Sequence, residues 1–240
     1  MLTGEWLNIV TTMMTLSRMH RDGQPSGTVS SVEPQAHDIA LVTRLEALAS
    51  ASPSTAVPAA SGGNGSDFIV GLLLSALTNP SLTLPVFLAV ADSVRRMLAA
   101  PASERLTDQC ATVCGAIKRA SQRHGAYRHP KVNEALAQLE AHPQRWAEQD
   151  LARLIGVSPS HFGRVIHHDT GLCFRDLRRA ATLKPAIKEI LLTDEHVAQI
   201  GLRVGFQHAS QFAREVHETF GLSPRQLRRL WKHLAAPDSR

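Results

Sequence analysis

The sequence predicts an all-α protein, and three observations carry that prediction. Where apolar residues cluster they recur at helical spacing, as at Ile39, Val42, Leu45 and Leu48, and again at Leu106, Cys110, Val113, Cys114 and Ile117. Runs of alternating apolar residues, which would mark half-buried strands, are lacking. From His129 onward the chain reads as short helices separated by short breaks.

The elements follow in order. Residues 1–20 predict a short helix with Trp6, Leu7, Val10, Met13 and Met14 on its apolar face. Residues 21–35 are polar and rich in Gly, Pro and Ser, and residues 36–49 predict a second helix. Residues 50–66 contain only Ala, Ser, Pro, Thr, Val, Gly and Asn, a composition that buries no core and reads as a flexible linker. Phe68 to Ala91 carries no charge and has the length of a spanning helix. Asn79-Pro80 followed by Ser81 breaks it with a turn, so two buried helices, about 67–77 and 85–100, are the better reading, with no membrane span. Residues 103–123 predict an amphipathic helix ended near Gly125. The chain therefore divides into N-terminal helical segments at 1–49, a linker at 50–66, a small helical domain at 67–125 and a last domain at 129–232.

The charge is uneven. The chain carries a formal +5. Residues 1–125 hold 9 Lys+Arg against 9 Asp+Glu, whereas residues 126–240 hold 17 against 12. An acidic partner for the last domain is favoured, and nucleic acid is one such partner. Three cysteines are too few and too scattered for a disulfide framework, which fits a reducing, cytoplasmic location. The first twenty residues lack the basic and apolar runs of a signal peptide.

Cys110 and Cys114 share a helix face with His124 nearby, an arrangement open to a thiol pair or half a metal site. Core packing is the stronger reading, because cysteine is commonly a small buried hydrophobe. His167-His168 has no clustered acidic or Cys partner, so no metal and no cofactor are expected. Ser158 and Ser160 lie near His161, but a cap and an outer helix position explain them without a catalytic triad. No Gly-rich phosphate loop is present, and the chain is not expected to be an enzyme.

The last domain contains a repeat. Leu151-Ala152 with Gly156-Val157 matches Ile200-Gly201 with Gly205-Phe206 at an offset of 49. At an offset of 50, Phe162 pairs with Phe212, Arg164 with Arg214, His167 with His217 and Gly171-Leu172 with Gly221-Leu222. The extra residue falls around Gln207–Ala209. Each copy predicts a short helix (Gln149–Ile155; Val197–Val204) ended by a glycine, a tight turn, and a second helix. Ser158 is a good N-cap with Pro159 behind it, and His208 to Ser210 opens the other helix with a weaker cap. Phe162, Val165 and Ile166 face inward, as do Phe212 and Val216. Ser160, His161, Gly163, Arg164 and His167 face outward, as do Ser210, Gln211, Arg214 and His217. These outward sets carry donors suited to base edges and phosphates.

With the motifs in hand, residues 129–232 resemble the DNA-binding domain of AraC/XylS-type bacterial transcription regulators. The stretch Ile200–Arg228 carries the resemblance through Gly205-Phe206, Ser210-x-Phe212, Phe220-Gly221 and Ser223-Pro224, and LARLIGVSPSHFGRVIHHDTG matches similarly. The resemblance implies a seven-helix domain in which a longer helix joins two helix-turn-helix units. Each second helix would enter one of two successive major-groove segments of double-stranded DNA. The joining helix would be Phe174–Leu192, roughly 28 Å at 1.5 Å per residue. Carried over by position, Ser160, Gly163 and Arg164 would meet bases in the first unit, with His167 and His168 where phosphate-contacting residues often stand. In the second unit Ala209, Ser210, Gln211, Ala213 and Arg214 would do so, with His217 near the backbone. The resemblance implies a sequence-specific regulator, with RNA polymerase expected as a further partner. The alternative is a helical protein-interaction adaptor that has lost specific DNA binding.

Several residues depart from the family pattern. Thr182 stands where Arg is usual, Glu148 where an apolar residue is usual, and Glu215 sits beside Arg214 in a place poorly suited to phosphate. Pro185 falls inside the joining helix, and the expectation is that this helix starts near Lys184 instead. The N-terminal half lacks the strands of the β-barrel sensor that many relatives carry. It is expected to be helical and to dimerise or to bind an effector.

Overall fold

The computed structural model describes residues 65–100, 106–123 and 131–235, together with Thr43. The expected helices at 1–20 and 36–49, most of the linker at 50–66, and His124 lie outside these residues. Among the described residues every regular element is a helix: α1 Gly65–Leu77, α2 Leu84–Ala99, α3 Leu106–Arg123, α4 Val132–Ala141, α5 Glu148–Ile155, α6 Pro159–Thr170, α7 Phe174–Leu192, α8 Val197–Arg203, α9 Ala209–Phe220 and α10 Pro224–Ala235. The last seven are the helices that the family resemblance implies. Helix α1 begins at Gly65 and takes in the last two residues of the expected linker.

The charge-free stretch folds as two helices, α1 and α2, and the turn between them has a local cause. The Asn79 side-chain oxygen accepts from the Ser81 N–H at 2.9 Å, and the Asn79 carbonyl accepts from Leu82 at 3.3 Å. Proline then occupies the first turn of α2, where no N–H is needed. No described helix is long and apolar enough to cross a membrane.

Helices α1–α3 do not stand apart from the rest. Helix α2 packs on α1, α3, α7 and α9, α1 reaches α7 and α10, and α3 reaches α6. A single apolar core runs from Ile69 in α1 to Leu227 in α10. One polar tie crosses it. Lys184 of α7 is 7% exposed and donates both to the Leu82 carbonyl, in the α1–α2 turn, and to Glu140 of α4. A buried ammonium needs such partners, and here they join three elements.

Pro185 requires a correction. Helix α7 does not start near Lys184 but runs unbroken from Phe174 to Leu192 with Pro185 inside it. The proline removes the hydrogen bond to the Ala181 carbonyl, at a cost of about 3 kcal/mol. Its ring lies on the exposed face, while Ala180 to Lys184 and Ala186-Ile187 around it are buried. Tertiary packing of that buried face outweighs the local cost.

Cys110 and Cys114 lie in the core, and Cys173 is exposed. Burial, with Cys114 beside it, pushes the Cys110 thiol up. In native protein an aromatic disulfide reagent should therefore titrate one thiol, the exposed Cys173. The other two should react only after denaturation, and rapid labelling of all three in native protein would show the core placement to be wrong.

Candidate nucleic-acid interface

The two helix-turn-helix units, α5–α6 and α8–α9, are built alike down to single hydrogen bonds. In the first turn the Gly156 N–H donates to Arg153 at 3.1 Å and Val157 to Ala152 at 3.0 Å. In the second, Gly205 donates to Leu202 at 3.1 Å and Phe206 to Gly201 at 3.0 Å. Gly156 and Gly205 have φ of 80° and 99°, which an L side chain adopts only with strain. The expected Ser158 cap is present, its hydroxyl accepting from the His161 N–H at 3.3 Å, with Pro159 behind it. His208 begins α9 without a side-chain cap bond.

The second helices, α6 and α9, are seated by equivalent phenylalanines. Phe162 is fully buried and meets Phe174 edge-on at 6.0 Å between centroids. Phe212 is fully buried and lies 5.2 Å from Phe206. Exposed, partial and buried positions then fall in the same order along 161–170 and 211–220. Ser160, His161, Arg164, His167 and His168 are exposed on α6, and Ala209, Ser210, Gln211, Arg214 and His217 on α9. Gly163 and Ala213 are half-buried. A Cβ at Gly163 would lie 3.3 Å from the Glu148 carboxylate, so this position meets α5.

The outer charges differ in how far they are engaged. Arg164 makes no ion pair among the described residues. Arg214 is 69% exposed and its nearest carboxylate, Glu218, is 3.8 Å away. His168 Nδ1 lies 2.9 Å from the carboxylate of Asp169, which is buried. Glu215, expected to oppose phosphate, is half-buried and paired with Arg179 of α7 at 2.8 Å, with Glu218 3.4 Å from the same guanidinium. That pairing turns its charge toward the joining helix and away from the outer face. Arg203 of α8 is engaged by Glu195 and by Glu189 at 2.9 Å. The Glu195 hydrogen bond and the Glu189 charge push its pKa up.

Sequence reasoning stopped the repeat too early. The offset of 50 continues through Arg175, Leu177, Arg178 and Arg179, which pair with Arg225, Leu227, Arg228 and Arg229. Arg178 Nε donates to the Pro143 carbonyl at 3.0 Å, and Arg228 Nε to the Ile190 carbonyl at 2.9 Å. Arg178 thus latches the loop ahead of α5, and Arg228 the last turn of α7, which is followed by α8. The matched Leu-Arg pairs were a signal available in the sequence.

Residues 151–230 match the family described as a helix-turn-helix domain. Over 111 residues the chain is 29% identical to the HTH-type transcriptional regulator GlxA of Rhizobium meliloti (strain 1021), covering 46% of this chain and 34% of that protein. The chain thus spans about a third of the length of that curated relative. Two solved structures are also similar. The C-terminal domain of AraT, a response regulator from Geobacillus stearothermophilus, is 28% identical, covering 42% of this chain and 87% of that one with a TM-score of 0.39. A transcriptional regulator of Chromobacterium violaceum, described by its AraC-type DNA-binding domain, is 26% identical, covering 42% and 92% with a TM-score of 0.40. The family match and the twin units built on matched turns and matched phenylalanines agree: residues 151–230 are a helix-turn-helix domain.

Proposed function

We propose that the chain is a sequence-specific regulator of transcription whose α6 and α9 read successive major-groove segments of double-stranded DNA. The observation that carries this is the pair of outward faces, alike in exposure at every position from 161 to 170 and 211 to 220, each with one exposed arginine, Arg164 in no ion pair among the described residues and Arg214 3.8 Å from the Glu218 carboxylate. Arg164 and Arg214 are the anchors, since a guanidinium can bond guanine O6 and N7 together. The polar and His positions around them serve phosphates and flanking bases. Such a protein acts on transcription through RNA polymerase, and the described residues within 65–123 pack on the domain. The adaptor alternative is not favoured, because residues 151–230 match a helix-turn-helix family.

Selection of bound sequences from a random DNA pool tests this reading and reports half-site spacing. A preferred bipartite sequence with steep salt dependence is expected. On that sequence Arg214→Ala should lose about 1–3 kcal/mol of binding and relax discrimination at one position. Equal weakening on every DNA sequence would instead make Arg214 a phosphate contact. No preferred sequence from the wild-type pool would sink the function.

A further inference from the structure

We propose that helices α1–α3 are a brace that sets the distance and angle between α6 and α9. Residues ahead of the helix-turn-helix domain would then determine which half-site spacing the chain accepts. The inference rests on the reading of α6 and α9 as DNA-reading helices.

The two reading helices are connected along the chain through α7. They are connected a second time through the N-terminal helices, because α3 packs on α6, α2 on α3, and α2 on α9. The contact at α9 is well defined. Phe87 of α2 and Phe220, the last residue of α9, are both fully buried and meet edge-on at 6.2 Å between centroids. Gly221 closes α9, and the Arg95 side chain lies 3.2 Å from where its Cβ would be. At the other end the buried face of α3 carries Cys110, Val113, Cys114 and Ile117, and α6 ends in the buried Asp169 and Thr170. Lys184 ties the α1–α2 turn to α7 and α4. Helix α1 adds a contact on α10, where Leu234 lies 3.8 Å from the Cβ position of Gly71.

The second route matters because the first has a weak point. Pro185 deprives α7 of one backbone hydrogen bond midway between the two units, and such positions are where helices bend. Helix α2, packed beside α7, restrains bending at that point. One added base pair moves a half-site by about 3.4 Å along the axis and about 34° around it. A braced reader cannot follow that displacement, whereas a loosened one can.

Two measurements on the full chain test the brace. The first is affinity for the selected bipartite site and for the same site with one base pair inserted or deleted between its halves. Wild type should lose roughly tenfold or more on either change, and Phe87→Ala should shrink that penalty to about threefold or less. The second needs no DNA: spin labels at Gln149→Cys and Gln199→Cys in a Cys173→Ser background report the distance between the units. That distribution should be narrow with Phe87 and broad with Phe87→Ala. Should Phe87→Ala lose its helical circular dichroism, the smaller truncation Phe87→Leu takes its place with the same expected direction. An unchanged label distance in the folded variant overturns the brace whatever the DNA result, as does an unchanged spacing penalty. A wild-type chain that selects no sequence overturns the functional reading instead, and this inference with it.

Discussion

Phe212→Ala should lower the unfolding free energy by about 3–5 kcal/mol, the range for deleting a fully buried aromatic ring. In a domain of this size that corresponds to a fall in Tm of about 6–20 °C. The ring has no exposed surface, faces Phe206 on one side, and sits against the backbone of α8 at Gly201 on another. These contacts seat α9, so the variant should lose DNA binding on every sequence in proportion to its lost stability. Arg214→Ala should behave in the opposite way, with Tm unchanged and discrimination reduced. Thermal unfolding followed by circular dichroism separates them, and a Tm within about 2 °C of wild type for Phe212→Ala would show that the ring does not anchor α9.

Gly201→Val should destabilise the same interface from the other side, by about 3 kcal/mol, toward the upper end for overpacking. Two effects compete at this position. Replacing a helical glycine removes a backbone entropy cost of up to about 1 kcal/mol. Against that, a Cβ at Gly201 would sit 2.7 Å from Phe212 Cδ1, 2.8 Å from Cγ and 3.0 Å from Cβ. The Phe212 ring is enclosed and cannot retreat, so the steric term wins. Denaturant titration of Gly201→Val, Phe212→Ala and the double variant checks this. The double variant should cost less than the two single ones added together, because removing the ring makes room for the valine. Strict additivity would mean that the two residues do not share the contact.

Much of this was legible in the sequence, for identifiable reasons. The turn at Asn79-Pro80 and the Ser158-Pro159 helix start are made by residues next to one another, and such local chemistry can be read from the chain. The joining helix Phe174–Leu192 was placed by resemblance, whereas its continuity through Pro185 was misjudged. A local rule on proline carries no knowledge of which face of α7 is buried. The meaning of Glu215 was hidden for a similar reason, since its partner Arg179 lies on another helix and no spacing rule joins them. The outward residues of α6 and α9 were legible because duplication repeated them in register. The docking of α1–α3 against both units was not, because an amphipathic face shows that a partner exists without showing which.

The twin latches made by Arg178 and Arg228 have a consequence for how such a protein changes over time. Each sits one helix beyond the residues that face outward, and each holds backbone ahead of its own unit. On the proposed reading, scaffold and code therefore reside in different side chains. Two copies that began alike can drift to unrelated targets by exchanging a few solvent-facing residues, while the frame beneath them stays in place. Histidine against glutamine at 161 and 211, both exposed, shows such a difference within one chain.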